Sequence, residues 1–496
     1  MPRRPQRNLP KPPHIFDRDL EWSELTAFAT DEDPGPHLAV VSGRRRQGKS
    51  TLLEALTEAT GGFYFAAAEA TRAESLSLLG REIARFTDAP VPPSPQDWTE
   101  ALELLFGLAA QRPVPIVLDE FPYLVRGDAS LPSRLQAAIG VPFGRHLRHH
   151  PRVLLCGSAM SFMGGLLSGT SPLYGRAWLN LVVHSLGYRE AAAFWGITDP
   201  RLAVLTHAVV GGTPAYRREF VANDVPEGLD DFDDWVCRTV LNPMRPIHGE
   251  AEFLLNAEPD VRDRALYHSV LAAVAAGNHT SGGIASAVGR KATDISQPLT
   301  VLRRCGLLTV EADAFRGNRS AYRIAEPLIT FHHAVVRRNQ ALTAKGGKLD
   351  AAWSEARDTF LSKVVGPHFE HLCREWVAWH ADSDTFGGLP IDVTSGTVAD
   401  PVARTSHEVD VVVRGAVGQD QGLLLSIGEA KWNKTMDTRH LDRLRHILGL
   451  LTARGIDTTH TRPACYSGVG FAPELRAAAE RGEVVLVDLP RLYSGT

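Results

Sequence analysis

The chain has 496 residues, 44% hydrophobic and 22% charged. At roughly 150 residues per domain this allows about three domains, each with a core large enough to fold without disulfides or metals. The formal net charge of −4 excludes a chain that is basic throughout, and also a strongly acidic tail protein, yet it leaves room for one basic module balanced by acidic ones. The cysteines Cys156, Cys237, Cys305, Cys373 and Cys465 are odd in number, widely spaced and lack a C-x-x-C pair. That argues against a disulfide framework or a structural zinc site and fits a reducing cytoplasm.

No apolar run of about 18 residues occurs, so neither a spanning helix nor a membrane partner is expected. Residues 1–13 are basic and proline-rich without an apolar segment, and read as a disordered leader rather than a signal peptide. Apolar positions at helical spacing predict a helix over 16–25, ended by the turn-rich stretch 31–36. Residues 37–41 read as a buried strand, followed by a glycine-containing loop and a helix over 50–60. A second strand is predicted at 63–65, helices at 73–86 and 98–111, and two more apolar strands at 115–118 and 152–156. Buried strands alternating with helices imply a parallel sheet covered on both faces.

Residues 200–259 are mostly helical in pattern, broken by Gly211-Gly212-Thr213-Pro214. Three short helices follow, near 262–276, 281–288 and 293–305. A hairpin of 307–311 and 321–324 comes next, with 315–319 at its tip. This is the order of a winged helix. Between 260 and 340 eleven basic residues face six acidic ones, a net +5 hidden within the chain's −4. Arg316 and Arg319 would lie on the wing at phosphates, with the third helix in a major groove. The other reading of such a module is a lid or arm packed on the nucleotide domain. A linker around 344–348 leads to a helix over 355–379, strands at 391–398, 408–414 and 423–431, a helix over 438–453, a strand at 463–466, a helix at 473–481 and a last strand at 484–487.

Gly43-Arg44-Arg45-Arg46-Gln47-Gly48-Lys49-Ser50 matches G-x-x-x-x-G-K-[ST] in full, and it follows a strand and opens a helix, as the mechanism requires. Gly43 and Gly48 let backbone N–H groups wrap phosphates at the positive end of a helix. Lys49 would reach the β- and γ-phosphates, Ser50 would place its hydroxyl on Mg²⁺, and Thr51 continues the binding turn. The strand at 115–118 runs into Asp119 and Glu120: Asp119 would hold the Mg²⁺ shell, and Glu120 would orient or deprotonate the attacking water. Ser158, after the strand 152–156, is placed as a polar sensor of the γ-phosphate or water.

These blocks resemble the archaeal-type ATPases of the AAA+/STAND class. The resemblance rests on residues 16–25, the loop 43–50, Gly157-Ser158, Leu173-Tyr174-Gly175-Arg176 and Gly211-Gly212-Thr213-Pro214-Ala215-Tyr216, and covers about 14–335. It implies ATP and Mg²⁺ as cofactors, Arg18 near the adenine and Arg176 as a γ-phosphate arginine. Arg44, Arg45 and Arg46 are not distinguished from one another.

In the last unit, alternation places Glu408 and Asp410 on one strand face with Val409, Val411 and Val413 opposite, and Glu429 with Lys431. Symmetric folding about the loop 415–422 would bring 408 near 429 and 410 near 427. Crowded carboxylates of this kind suit a divalent metal, with Lys431 activating water or offsetting charge. The pattern resembles the PD-(D/E)xK nucleases, with Val409 in place of the proline. That resemblance implies Asp410, Glu429 and Lys431 as the catalytic triad and Glu370 as an auxiliary metal ligand beside Asp410 and Glu429. The pairs His149-His150 and His332-His333 have poor geometry for one metal and are expected at the surface or in caps.

The expected fold class is α/β: a P-loop parallel-sheet ATPase core (14–199), helical lid (200–259), winged helix (260–335), linker (336–354) and an α/β restriction-endonuclease-like domain (355–496). The expected function is a cytoplasmic Mg²⁺-dependent ATPase coupled to a DNA-binding or nuclease-like domain. DNA is the candidate macromolecular partner, and a second copy of the chain or another protein is left open. The competing reading is a nucleotide-dependent switch or scaffold whose C-terminal domain is not catalytic.

Overall fold

The computed structural model describes residues 9–31, 37–109, 114–140, 151–256, 258 and 263–495. The turn residues 32–36, the pair His149-His150 and the charges Asp260 and Arg262 lie outside them. The described residues form two compact units, one running to Ser185 with Glu258, the other from Leu186 onward. No helix among them is long and apolar enough to cross a membrane.

In the first unit, β1 (His37–Ser42), β2 (Phe63–Ala66), β3 (Pro115–Asp119), β4 (Arg152–Gly157) and β5 (Ala177–Val182) form a parallel sheet in the order β2-β3-β4-β1-β5. Apolar residues run continuously through β1, β3 and β4 because both faces are covered. Leu38, Val40, Ile116, Leu118, Val153 and Leu155 pack into one cluster, and Ala39, Val41, Val117, Leu154 and Cys156 into another. Burying each Val or Leu contributes about 1.5–3 kcal/mol. Since all five strands are parallel, Ser42, Asp119 and Gly157 end at one edge of the sheet, where the following loops meet. The edge strand β5 was not expected from sequence: its half-exposed residues, Trp178 among them, carry no buried run.

Residues 9–13 were expected to belong to a disordered leader, but Leu9 accepts a hydrogen bond from Trp22 Nε1 at 2.8 Å and Lys11 pairs with Asp19 at 2.7 Å.

The second unit begins with helices Tyr188–Trp195, Pro200–Val210, Phe232–Arg238 and Pro246–Asn256. Helices Arg264–Ala275, Ser281–Val288 and Ala292–Arg304 then lead into the hairpin of β6 (Leu308–Asp313) and β7 (Arg316–Ile324). This hairpin is longer than expected. Arg316 and Arg319 lie on β7 itself, and the turn is reduced to Ala314 and Phe315. The expected linker is taken up by short helical turns and the start of the helix Leu349–Thr359.

Next come β8 (Leu389–Asp400), β9 (Thr405–Val417), β10 (Asp420–Lys431), β11 (Arg462–Ser467) and β12 (Val485–Asp488). They form one sheet with the hairpin, in the order β12-β11-β10-β9-β8-β6-β7. The join is made at the hairpin turn. Asp313 pairs with Ser395, Ala314 N–H donates to the Ser395 carbonyl at 3.0 Å, and the Phe315 ring covers Gly396, where any Cβ would strike it. One face of the sheet packs on the helix Gly366–Trp379 and the other on the helix Thr438–Ala453.

Candidate functional site

Gly48 caps the helix Lys49–Thr60 at φ 86°, a left-handed conformation that costs little without a Cβ. At Gly43 (φ 154°) an added Cβ would drive into the carbonyl of Val183, which is itself held to Ser42. The loop therefore turns tightly against the end of β1 and presents its following N–H groups at the helix N-terminus. Arg46 also sits at positive φ (69°).

Ser50 Oγ donates to Asp119 Oδ2 at 2.7 Å, Tyr64 donates to the same oxygen at 2.6 Å, and Glu120 N–H donates to Oδ1 at 2.8 Å. Burial works to raise the Asp119 pKa. The hydrogen bonds from Cys156, Tyr64, Ser50 and the Glu120 N–H outweigh it and hold the carboxylate below its ordinary value. Lys49 is buried and donates to the Arg44 carbonyl at 2.8 Å. Burial lowers its pKa, against the raising influence of Cys156, Glu120 and Asp119. Glu120 stands at φ 50°, ψ 40°, and Ser158 Oγ lies 3.2 and 3.3 Å from its two oxygens. Gly43, Gly48, Lys49, Ser50, Asp119, Glu120 and Ser158 thus meet at one edge of the sheet, and Thr51 follows Ser50 on the same helix turn.

Two further candidates sit differently. Arg18 is buried and donates to the carbonyls of His184 (2.6 Å) and Gln47 (3.5 Å) while pairing with Glu21 at 3.0 Å. It ties the entry helix to the loop and to the chain after β5. Arg176 is exposed, and among the described residues it makes no hydrogen bond or ion pair with the loop. Sequence reasoning missed Tyr64 and Cys156 as partners of Asp119. Their signal is strand pairing, which sets Tyr64 opposite Val117.

The hard oxygen donors Ser50 and Asp119, together with the buried Lys49, fit a magnesium–nucleotide complex.

The second cluster lies on β9 and β10. Here the expected register is corrected. Near the loop Val417 pairs with Asp420, as symmetric folding requires, but two irregularities along β10 shift the pairing until Gly428 faces Val411. Asp410 therefore lies beside Glu429 rather than Ile427. The expected faces change as well. Between Thr394 and Gly396 of β8, β9 carries one extra residue at Asp410 and Val411. Such a bulge re-aims side chains: Val409 and Val412 pack toward the helix Thr438–Ala453, and Val411 and Val413 toward the opposite face. Glu408 stays exposed, offering its carbonyl to Arg443 at 2.8 Å.

Lys431 Nζ lies 3.0 Å from Glu429 and 3.6 Å from Asp410, and Arg443 lies 3.0 Å from the other Glu429 oxygen. Ala430 N–H donates to Asp410 Oδ2 at 2.8 Å, and Arg374 donates to the Asp410 carbonyl at 2.8 Å. Burial, then the Asp410 charge, pushes Glu370 up to about 7. Burial also raises Asp410. Burial would lower Lys431, but Asp410 and Glu429 outweigh it and raise its pKa. Asp410, Glu429, Lys431 and Glu370 are thus electrostatically coupled, although Glu370, Asp410 and Glu429 do not form a three-donor group with ligand atoms all within 4.8 Å. Arg443 and Arg374 were missed, since nothing in their local strings marks them.

On the hairpin, Arg323 pairs with Glu311 at 2.7 Å, and Arg374 lies 3.6 Å from the same carboxylate, so Arg323 is spent on an internal pair. His332 and His333, expected at the surface, are buried in a π-helical turn, and burial lowers the pKa of each, to about 4 and about 3.

No family model matches the chain. An uncharacterized protein of Methanocaldococcus jannaschii is 24% identical over 312 residues, which is 62% of this chain and 66% of that protein, so the chain spans slightly less than two thirds of the relative's length. Among solved structures, a Walker-type ATPase of Pyrococcus abyssi aligns over 64% of this chain and 96% of its own (19% identity, TM-score 0.46). The ORC2 protein of Aeropyrum pernix, in ADPNP–ADP complexes, aligns over 67% and 99% (15% identity, TM-score 0.42). A STAND protein of Pyrococcus horikoshii with a tetratricopeptide repeat sensor aligns over 75% and 52% (11% identity, TM-score 0.28).

Proposed function

We propose that the chain is an ATP-binding protein and a Mg²⁺-dependent ATPase. The observation that carries this reading is the 2.7 Å contact between Ser50 Oγ and Asp119, made where a complete G-x-x-x-x-G-K-S loop joins a buried parallel strand to a helix. The loop's N–H groups and Lys49 bind and orient the phosphates, while Ser50 and Asp119 hold the metal. Mg²⁺, when bound, offsets charge on the β- and γ-phosphate oxygens. Glu120 positions the attacking water and takes its proton, and Ser158 steadies the Glu120 carboxylate. Arg18 is a positioning residue for the loop.

The test is Lys49→Ala. Hydrogen bonds to charged groups contribute about 1.5–3 kcal/mol, so ATP affinity measured by calorimetry is expected to fall about ten- to a hundredfold with the circular dichroism unchanged. Undiminished affinity would falsify the site.

A second reading concerns the C-terminal sheet. The coupled set Asp410, Glu429, Lys431 and Glu370 favours a PD-(D/E)xK nuclease-like domain acting on DNA, with ATP state controlling it. The charge of the helices and hairpin preceding it favours the same partner.

A further inference from the structure

Away from both clusters, the end of β8, the start of β9 and the helix Thr438–Ala453 bring three donors together. Asp400, His407 and His446 place one ligand atom each within 4.8 Å of one another, and theirs is the three-donor group of this kind among the described residues. We propose that these residues form a zinc-class divalent cation site that staples the β8–β9 turn to the helix.

Asp400 is buried, and its Oδ1 is already fixed by the N–H groups of Val402 (3.0 Å) and Ala403 (2.9 Å). Its Oδ2 is left to the imidazoles, 2.9 Å from His446 Nε2 and 3.6 Å from His407 Nε2. The two rings stand at 84° with centroids 5.4 Å apart, so they approach that oxygen from different directions. Zinc binds imidazole nitrogen and carboxylate oxygen at about 2.0–2.2 Å, which puts tetrahedral donors roughly 3.3–3.5 Å apart. The observed spacings bracket that value.

A short His–Asp hydrogen bond holds His446, whereas His407 pairs with the same oxygen only at long range. The Nε2 of His407 is shut off from solvent and, among the described residues, reaches only Asp400 Oδ2, at 3.6 Å, longer than an ordinary hydrogen bond. Buried polar atoms are rarely left so, and a cation would satisfy it. Two imidazoles with one carboxylate favour zinc over magnesium or calcium, which take oxygen ligands. The His446 side chain is 54% exposed, so water can complete the coordination. The scarcity of cysteines argues against a thiolate zinc site, and these ligands need none.

One helical turn before His446, Arg443 holds Glu429 and the Glu408 carbonyl. A cation at His446 would therefore also fix the helix that carries Arg443.

The full chain, stripped with EDTA, is titrated with Zn²⁺ in competition with a chromogenic chelator, and bound metal is counted by mass spectrometry. One equivalent is expected, with melting raised by Zn²⁺. His446→Ala removes an exposed helical side chain and leaves the fold intact, and His407→Gln keeps the side chain's bulk. Each is expected to weaken Zn²⁺ at least about tenfold and to abolish the rise in melting, while Asp410→Ala keeps both. Absence of a stoichiometric ion in the unaltered chain, or variants that bind it as tightly, would overturn the proposal.

Discussion

Ser50 and Tyr64 share one oxygen of Asp119, at 2.7 and 2.6 Å, while the other oxygen is fixed by the Glu120 N–H. The shared oxygen is the one free to turn from hydroxyl donors to a cation. Ser50→Ala should therefore weaken ATP binding in Mg²⁺ by about tenfold, the equivalent of one charge-assisted hydrogen bond. With EDTA present the change should be small. Calorimetry in the two buffers decides it, since an equal loss in both would mean that Ser50 only braces Asp119.

Glu120 sits at φ 50° directly after β3. A non-glycine residue there costs about 1–3 kcal/mol, and such strain gathers at functional positions. Glu120→Gln should leave ATP affinity nearly unchanged and cut hydrolysis about 10²–10⁴-fold, the range for a lost general base. Glu120→Gly should lose hydrolysis as well, yet gain melting temperature by relieving the strain. Phosphate release and thermal unfolding of the two variants separate chemistry from stability, and full hydrolysis in Glu120→Gln would remove it from the mechanism.

Most of the alternating pattern in the first unit was legible because β1, β3 and β4 are buried on both faces and leave continuous apolar runs. The edge strand β5 was not, since half of its surface faces solvent. The loop and the Asp-Glu pair were legible because their chemistry needs fixed residue types at fixed spacing. The register of β9 and β10 was not. Symmetric folding fails where bulges insert residues: Gly422, at φ 73°, marks one of them, but neither Leu425 nor Asp410 carries a local sign. Asp400, His407 and His446 were invisible for a plainer reason: tertiary packing alone joins them.

Glu375 offers a pH test of the second unit. Burial, then the charge of Glu190, pushes its carboxyl up to about 7, against a Tyr188 N–H that stabilises the ionised form. The unfolded chain ionises this group near its ordinary 4.5. Between those values the folded chain keeps a proton that the unfolded chain has lost, so stability falls as pH rises through the window. The loss is at most about 3 kcal/mol. Glu375→Gln removes it, so in urea titrations the variant should gain on the parent between pH 5 and pH 8. Parallel pH profiles would show that the group is not buried as an acid.

The C-terminal cluster separates the two functional readings. Asp410 is held at its carboxylate by Ala430 N–H and at its carbonyl by Arg374, so its position does not depend on Lys431. Lys431 bridges Asp410 and Glu429, and both carboxylates raise its pKa, which keeps it a cation at neutral pH. A cationic lysine offsets charge on a scissile phosphate better than it accepts a proton from water. Lys431→Arg should therefore keep part of any Mg²⁺- or Mn²⁺-dependent cleavage of linear, supercoiled or single-stranded DNA, whereas Lys431→Ala and Asp410→Ala should reduce it at least about a hundredfold. The hairpin adds a second arm to the experiment. Its turn is tied to β8 through Ala314 and Phe315, so under the DNA reading any contact would fall to Arg316 and Arg319 on β7 and to Arg303 and Arg304 at the end of the preceding helix. Arg303→Ala with Arg304→Ala should lower retardation of DNA and flatten its salt dependence by about two phosphate contacts. DNA that stays intact and unretarded in every metal and nucleotide condition would assign the cluster to holding the sheet together and leave the nucleotide site working as a switch for protein partners.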